Sequence, residues 1–379
     1  MLIAGDPSGD QLAAELVTQL CLQAPGAEFF GAGGSHLQAA GMELLVDLTR
    51  HAVIGLIEVV AQYARLRRIF HELLAVAERR RPDVVIGVDY GGFNLRFARA
   101  LRARAATIPG WRPRIVQFVS PQVWASRPGR AEVLARNHDL VLSILPFEKA
   151  WYAEHAPTLR VEFVGHPLVD RHLSRGEAAG ASGATREDES RPLVVLLPGS
   201  RKGELQRHWP VLRGAAALLA QALPVRLLAV LPTEELAEMA RRGSDPVPGL
   251  EITVGGLAEA LGRAQLALAS TGTVTLECAW FRVPTLALYR TSWSTYQIGR
   301  RIITVPYLAM PNLLAGAVVM PEFIQDAATP ETLSRAAIEL LQQPERRLEM
   351  RRQLDLVVAR LGAPGACRRA ADFILALAP

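Results

Sequence analysis

Short apolar runs alternate with helical stretches along most of the 379 residues. In the first half the runs are LIAG, EFFGAG, PDVVIGVD, RIVQFVS, DLVLSILP and RVEFVGHP. In the second half they are LVVLLPGS, VRLLAVLP, LEITVGG, QLALAS and VPTLALYR. Strands alternating with helices predict parallel sheets with helices on both faces. Between the halves, RGEAAGASGATREDESRP, residues 175–192, is rich in Gly, Ala, Ser and charge and has no apolar period, as a linker would. The expected organisation is α/β: a Rossmann-like domain over 1–172, a linker over 173–192, and a second Rossmann-like domain over 193–345. Terminal helices over 346–379 either pack back on the first domain or exchange with a partner chain. Two such domains facing across a cleft bind ligands beyond the carboxyl ends of their strands.

Composition narrows the class. Half the residues are apolar, enough for sizeable cores, and no uncharged apolar run of about 18 residues predicts a membrane span. Met1 leads straight into the first strand without a basic leader, so no signal peptide is expected. Three widely spaced cysteines, Cys21, Cys278 and Cys367, suit a reducing cytosol, and no Cys/His cluster has metal-ligand spacing. The net charge is +5, and apart from Lys149 and Lys202 all the Lys/Arg charge is arginine. That bias reads either as a GC-rich coding sequence or as an anionic substrate or membrane surface.

Several strand-end loops carry chemistry. LLPGSRKGEL, 196–205, turns at Gly199-Ser200 and sets Arg201 at the sheet edge with Glu204 beside it; an arginine there can fork onto two phosphate oxygens. ASTGTVTLECA, 269–279, opens a helix with Thr271, Gly272 and Thr273, whose hydroxyls and N–H groups suit a diphosphate. Glu277, one turn on, suits ribose hydroxyls, although simple capping by either threonine is the alternative. The first loop, GDPSGDQ, has Asp6 and Asp10 instead, which repel phosphate but accept hydrogen bonds from a sugar, with Ser8 and Gln11 forming a capping box. VVIGVDYGGFN, 84–94, ends a strand with Asp89, a natural general base for a hydroxyl nucleophile, flanked by Tyr90, Phe93 and Asn94. FVSPQVWASRPGR, 118–130, offers Ser120, Gln122, Trp124 and Arg127 to an acceptor.

Residues 51–81 put Val53, Ile54, Leu56, Ile57, Val59 and Val60 close to Arg65, Arg67, Arg68 and Arg79–Arg81. Apolar residues beside arginines suit an interfacial element against anionic lipid, but on this stretch alone an ordinary core-packed helix with a solvated basic face is the preferred reading.

AGDPSGD, IGLIEVV, PDVVIGVDYGGFN, FVSPQVWASR, LPFEKAWY, FVGHPLVD, LLPGSRKGEL, STGTVTLEC and MPNLLAG, in that order over nearly the whole chain, resemble the lipid-A-disaccharide synthase family. These are bacterial glycosyltransferases of the two-domain GT-B type. The resemblance implies transfer of 2,3-diacylglucosamine from its UDP ester to 2,3-diacylglucosamine 1-phosphate, forming a β-1,6 bond and releasing UDP. It puts Asp89 at the family's essential acidic position, Arg201 on the pyrophosphate side, and Asn312 on the asparagine of the PNLLAG stretch. Asp6 falls where the family more often has glutamate. The resemblance also favours the membrane reading of 51–70, with the enzyme peripheral on the inner face of the cytoplasmic membrane, monomeric or homodimeric. Members typically have several more residues ahead of the first strand, so either the start lies upstream of Met1 or the strand is short.

The implied mechanism is a single inverting step in which Asp89 takes the proton of the acceptor 6-hydroxyl while Arg201 and Thr271–Thr273 meet the charge on departing UDP. No Asp-x-Asp metal motif is present, and no cofactor or nucleic acid is expected. The rivals are a UDP-N-acetylglucosamine 2-epimerase, another UDP-sugar-dependent enzyme of this fold, or a non-catalytic UDP-sugar binder. An NAD enzyme is disfavoured because GDPSGD lacks the third glycine of G-x-G-x-x-G.

Overall fold

The computed structural model describes residues 1–49, 56–176, 190–242 and 246–378. Two compact units emerge, Met1–Asp170 together with Leu361–Pro379, and Arg171–Arg360. Each is built on one parallel sheet with helical crossovers.

In the first unit the strands are β1 (Leu2–Ala4), β2 (Phe30–Gly33), β3 (Glu43–Asp47), β4 (Val84–Val88), β5 (Arg114–Phe118), β6 (Leu140–Ser143) and β7 (Val161–Phe163), ordered 3-2-1-4-5-6-7. Side chains alternate across this sheet and both faces are covered. Leu2, Ala4, Ile86, Val88, Val116 and Phe118 pack under one layer with Leu12 and Leu16. Ile3, Val85 and Ile115 pack under the other, with Leu73, Phe97 and Leu101. The order reverses at β1/β4, so the loops after these two strands open side by side.

In the second unit the strands are β8 (Leu193–Leu197), β9 (Arg226–Leu231), β10 (Leu250–Val254), β11 (Leu266–Ser270), β12 (Thr285–Tyr289) and β13 (Glu322–Ile324), ordered 10-9-8-11-12-13. Its switch point is β8/β11. β3 and β13 are absent from the apolar runs read above; both lie at sheet edges and are only partly buried.

The terminal segment 346–379 does not stay together. The helix Pro344–Ala359 belongs to the second unit and Ala366–Leu375 to the first. The latter buries Cys367, Ala370, Ala371 and Ile374 against Leu12, Leu16 and Leu20. Asp170 fixes this return by accepting from the N–H groups of Gly365 and Ala366 at the start of the last helix.

The membrane candidate Ile54 lies outside the described residues, and so do the side chains of Leu56, Ile57, Val59 and Val60 on the helix Leu56–Arg80. Farther along that helix, Ile69, Leu73, Leu74 and Ala77 are core residues while Arg65, Arg67 and Arg68 are exposed. That half follows the core-packed reading. No helix among the described residues is long and apolar enough to cross a membrane.

Candidate active site

At the switch point of the first unit the chain is drawn tight. Asp6, not Ser8, caps the helix Pro7–Gln23: its Oδ1 accepts from Gly9 N at 2.6 Å, with Pro7 at the first helical position. The expected Ser8–Gln11 box is not the cap; Ser8 is exposed, and Gln11 donates to Glu15 at 3.4 Å. After β4, Asp89 and Tyr90 are both left-handed (φ 46° and 45°), an uncommon pair for residues with a Cβ. The turn has room because its neighbours are glycines. A Cβ on Gly5 would lie 2.2 Å from the Tyr90 ring, and one on Gly9 would lie 3.1 Å from Asp6 Oδ1 and 3.8 Å from Asp89 Cβ. Asp6, Asp89 and Tyr90 therefore share one small region at the carboxyl ends of β1 and β4. Burial, and then the Asp6 carboxylate, raises the Tyr90 pKa, so its hydroxyl stays a donor.

The strained turn is held from below. Gln117, fully buried on β5, donates its amide to Asp89 O at 2.9 Å and to Val119 O at 3.1 Å; Val119 is itself left-handed (φ 64°). Asn94 donates to Asp89 O at 2.9 Å and is buried. This corrects its reading as an acceptor contact: its amide supports the Asp89 backbone. Nothing in the sequence marks Gln117, since a glutamine in a strand pattern carries no signal of its own.

Asp10 is likewise corrected. Its carboxylate is buried and accepts from Gly34 N at 2.6 Å, His36 N at 2.9 Å and Leu37 N at 3.3 Å, capping the short helix Ser35–Ala39 from another element. It is tied into the fold and does not face a sugar. Ser120 and Trp124 are also interior: Ser120 Oγ lies 2.9 Å from Tyr152 Oη, and the Trp124 indole N–H donates to Glu148 Oε1 at 2.8 Å. Glu148, fully buried, is pushed up to about 7 by burial, against the lowering effect of the Trp124 bond. Of that loop's acceptor candidates, Gln122 and Arg127 stay exposed.

In the second unit the loop after β8 turns at Gly199 (φ 117°) and runs into the helix Lys202–Ala222. Glu204 folds back over it, accepting from Ser200 N at 3.0 Å and from Arg201 Nη1 at 2.9 Å. The Arg201 side chain is 78% exposed. Beneath it, buried His208 bridges two strand-end loops: Nδ1 lies 2.8 Å from Pro198 O, and Nε2 accepts from Arg290 N at 3.1 Å. That pattern requires the neutral Nδ1–H tautomer, and burial lowers the pKa in agreement.

The loop after β11 is open: Thr271 and Gly272 lead to Thr273, which makes no side-chain cap bond, so the capping alternative does not describe it. The helix behind it, Val274–Trp280, has seven residues. Glu277 projects from it, partly exposed, with Oε2 2.6 Å from His172 Nε2. His172 is buried and stacked on Trp280 at 5.2 Å, which orients the carboxylate. Asn312 is taken up by the fold. It is fully buried, donating to Met320 O at 2.7 Å and Glu322 Oε1 at 2.8 Å and accepting from Val319 N and Met320 N at 2.8 Å each. Its amide is saturated and staples the turn ahead of β13.

The family profile for lipid-A-disaccharide synthetase matches residues 1–377. The chain belongs to the lipid-A-disaccharide synthase family. Relatives named lipid-A-disaccharide synthase, from Syntrophus aciditrophicus (strain SB) and Myxococcus xanthus (strain DK1622), are each 37% identical over 384 residues, covering 100% of this chain and 97% of their own. Among solved structures the calicheamicin glycosyltransferase CalG4 superposes with a TM-score of 0.60 at 16% identity, over 99% of this chain and 97% of its own, which shows a shared fold. The fold is thus GT-B, and the chain is a glycosyltransferase of the lipid-A-disaccharide synthase family.

Proposed function

We propose that this synthase moves 2,3-diacylglucosamine from its UDP ester to the 6-hydroxyl of 2,3-diacylglucosamine 1-phosphate. The observation that carries the residue roles is the convergence of Asp6, Asp89 and Tyr90 on a glycine-lined switch point in a family member aligned end to end. Asp89 accepts the proton of the attacking hydroxyl. That oxygen bonds to the anomeric carbon as the carbon–oxygen bond to UDP breaks, so the donor's α linkage becomes β. Asp6 accepts a sugar hydroxyl beside it, with the Tyr90 hydroxyl as donor.

The second unit takes the nucleotide. Arg201 meets the diphosphate, to which its fork is better matched than to the single Glu204 oxygen it now holds. Thr271 and Thr273 supply hydroxyls, and Glu277, steadied by His172, takes the ribose. Acylated substrates favour a protein working at the inner face of the cytoplasmic membrane.

UDP release is measured with donor and acceptor sugars, singly and together. Release only with both, accompanied by a disaccharide, supports the reading; N-acetylmannosamine formed from UDP-N-acetylglucosamine alone would overturn it. Asp89→Ala is expected to lower the rate roughly 100-fold or more while UDP affinity stays within a factor of about two. Equal loss of UDP binding would remove Asp89 from the role of base.

A further inference from the structure

The helix Trp293–Ile302, between β12 and β13, buries none of its residues. A surface helix of a globular protein normally turns an apolar stripe to its core; this one leaves Trp293 75% exposed and Ile298 57% exposed, with Ile303 just beyond at 42%. Val318, in the turn that Asn312 staples, is 61% exposed. Exposed large apolar residues elsewhere are scattered, and Leu348 and Leu356 share their helix with Glu345, Glu349 and Asp355.

The charge pattern is one-sided as well. Between Glu277 and Glu322 the chain has no acidic residue, but it has Arg282, Arg290, Arg300 and Arg301. On the helix, Arg300 is two turns from Trp293, and Arg301 is three residues from Ile298, so cations and apolar groups share the outward side. Arg300 also lies 5.7 Å from the centre of the Tyr296 ring.

The element is uncovered, yet its root is fixed. Arg290 N is held by His208 at 3.1 Å, and Thr291 is clamped by Gln325, which accepts from its N–H at 2.7 Å and donates to its carbonyl at 3.2 Å. Ser292 caps the helix by accepting from Thr295 N at 3.3 Å. The anchored, outward-facing helix leaves the sheet at the carboxyl end of β12, the edge at which the loops after β8 and β11 carry Arg201 and Thr271–Thr273.

We propose that the helix Trp293–Ile302, with Ile303, is an interfacial element that seats the second unit on an anionic phospholipid bilayer. Trp and Tyr suit the headgroup level, the isoleucines enter the acyl boundary, and the arginines pair with lipid phosphate. A segment with arginines, no acidic residue and exposed Trp and Ile complements a surface that is negative at its rim and apolar beneath, as an anionic bilayer is and a merely acidic protein is not. The inference rests on the function proposed above in one respect: acylated sugars reside in a bilayer, so the nucleotide-binding unit has reason to touch it.

The test is co-sedimentation of the full chain with phosphatidylglycerol-containing vesicles and with phosphatidylcholine vesicles, at low and high salt. Wild type is expected to bind the anionic vesicles preferentially and to lose much of that binding in high salt. Trp293→Ser/Ile298→Ser/Ile303→Ser should weaken binding at least about tenfold, with thermal stability, UDP affinity and turnover of detergent-dispersed substrates preserved. Arg300→Glu/Arg301→Glu, which leaves the apolar groups in place, should remove the preference for anionic lipid. Unchanged vesicle binding in both variants would overturn the proposal. So would a dimer in sedimentation velocity that the triple variant dissolves while lipid binding persists, since the patch would then serve a second copy. Vesicle binding needs no turnover: an inactive wild type that binds through this helix would sink the proposed reaction and leave the interface standing.

Discussion

Glu148 gives the sharpest quantitative test of the first unit. Its carboxyl is fully buried at the ends of β5 and β6, with the Trp124 indole on Oε1 at 2.8 Å and Leu145 N on Oε2 at 3.4 Å, and among the described residues no cation forms an ion pair with it. Burial raises its pKa from 4.5 to about 7. A group whose folded pKa is raised binds its proton more tightly in the native state. Its contribution is then fully present below about pH 4.5 and is lost as pH rises through about 7. At 1.36 kcal/mol per unit, ionising it in the fold costs about 3 kcal/mol.

Glu148→Gln keeps the shape and an acceptor for Trp124 but cannot ionise. At about pH 8.5 the variant should therefore be more stable than wild type by up to about 3 kcal/mol. For a unit of this size that is about 6–12 °C in the first unit's Tm. At about pH 4 the two should melt together, because both are then neutral. The assay is thermal unfolding at a series of pH values, with amide exchange over residues 143–155 assigning the transition to the first unit. A stability difference that does not change with pH, or a Gln variant less stable above pH 7, would refute the argument.

Three further outcomes follow from the second unit's geometry. Arg201→Lys should change stability by less than about 0.5 kcal/mol, since its pair with Glu204 is exposed, yet weaken UDP affinity by roughly tenfold because an ammonium cannot fork; urea unfolding checks the first half and calorimetric titration with UDP the second. His208→Phe removes the donor to Pro198 O and the acceptor of Arg290 N, and should cost about 2–4 kcal/mol; steady-state kinetics should show KM for the UDP-sugar rising more than kcat falls. Asn312→Ala orphans Val319 N, Met320 N and Met320 O and strips Glu322 of a donor, so urea unfolding should show a loss of about 3 kcal/mol or more. A stable Asn312→Ala with only a raised KM would return that residue to the ligand.

Legibility of the fold tracked burial. Strands such as Leu193–Leu197 and Leu266–Ser270 are buried at every position and stand out as unbroken apolar runs. β3, reading ELLVD, and β13, reading EFI, are edge strands with one side unpaired, so a few half-buried positions suffice and the pattern is faint. The return of the last helix to the first unit is a long-range choice. It depends on Asp170 meeting Gly365 and Ala366, 195 and 196 residues away, which no local period encodes.

At the site, residue type was legible and partner was not. Asp6 and Asp10 stand four apart in one loop, and either could accept from a sugar. The fold separates them by what lies opposite: Asp10 faces the uncapped N–H groups of the helix Ser35–Ala39, contributed by a segment more than twenty residues on, and those donors consume its carboxylate. Asp6 caps its own helix through Oδ1, and its charge is felt at Tyr90. Asn312 and Asn94 follow the same logic, since a buried amide surrounded by backbone donors and acceptors must satisfy them before it can serve a ligand. Arg201 escapes because it stands in solvent with a single carboxylate for company. A polar residue in a strand-end motif thus remains available for chemistry to the extent that the unpaired backbone around it has been satisfied by something else, and at Asp89 it is Gln117 and Asn94 that bond the backbone carbonyl.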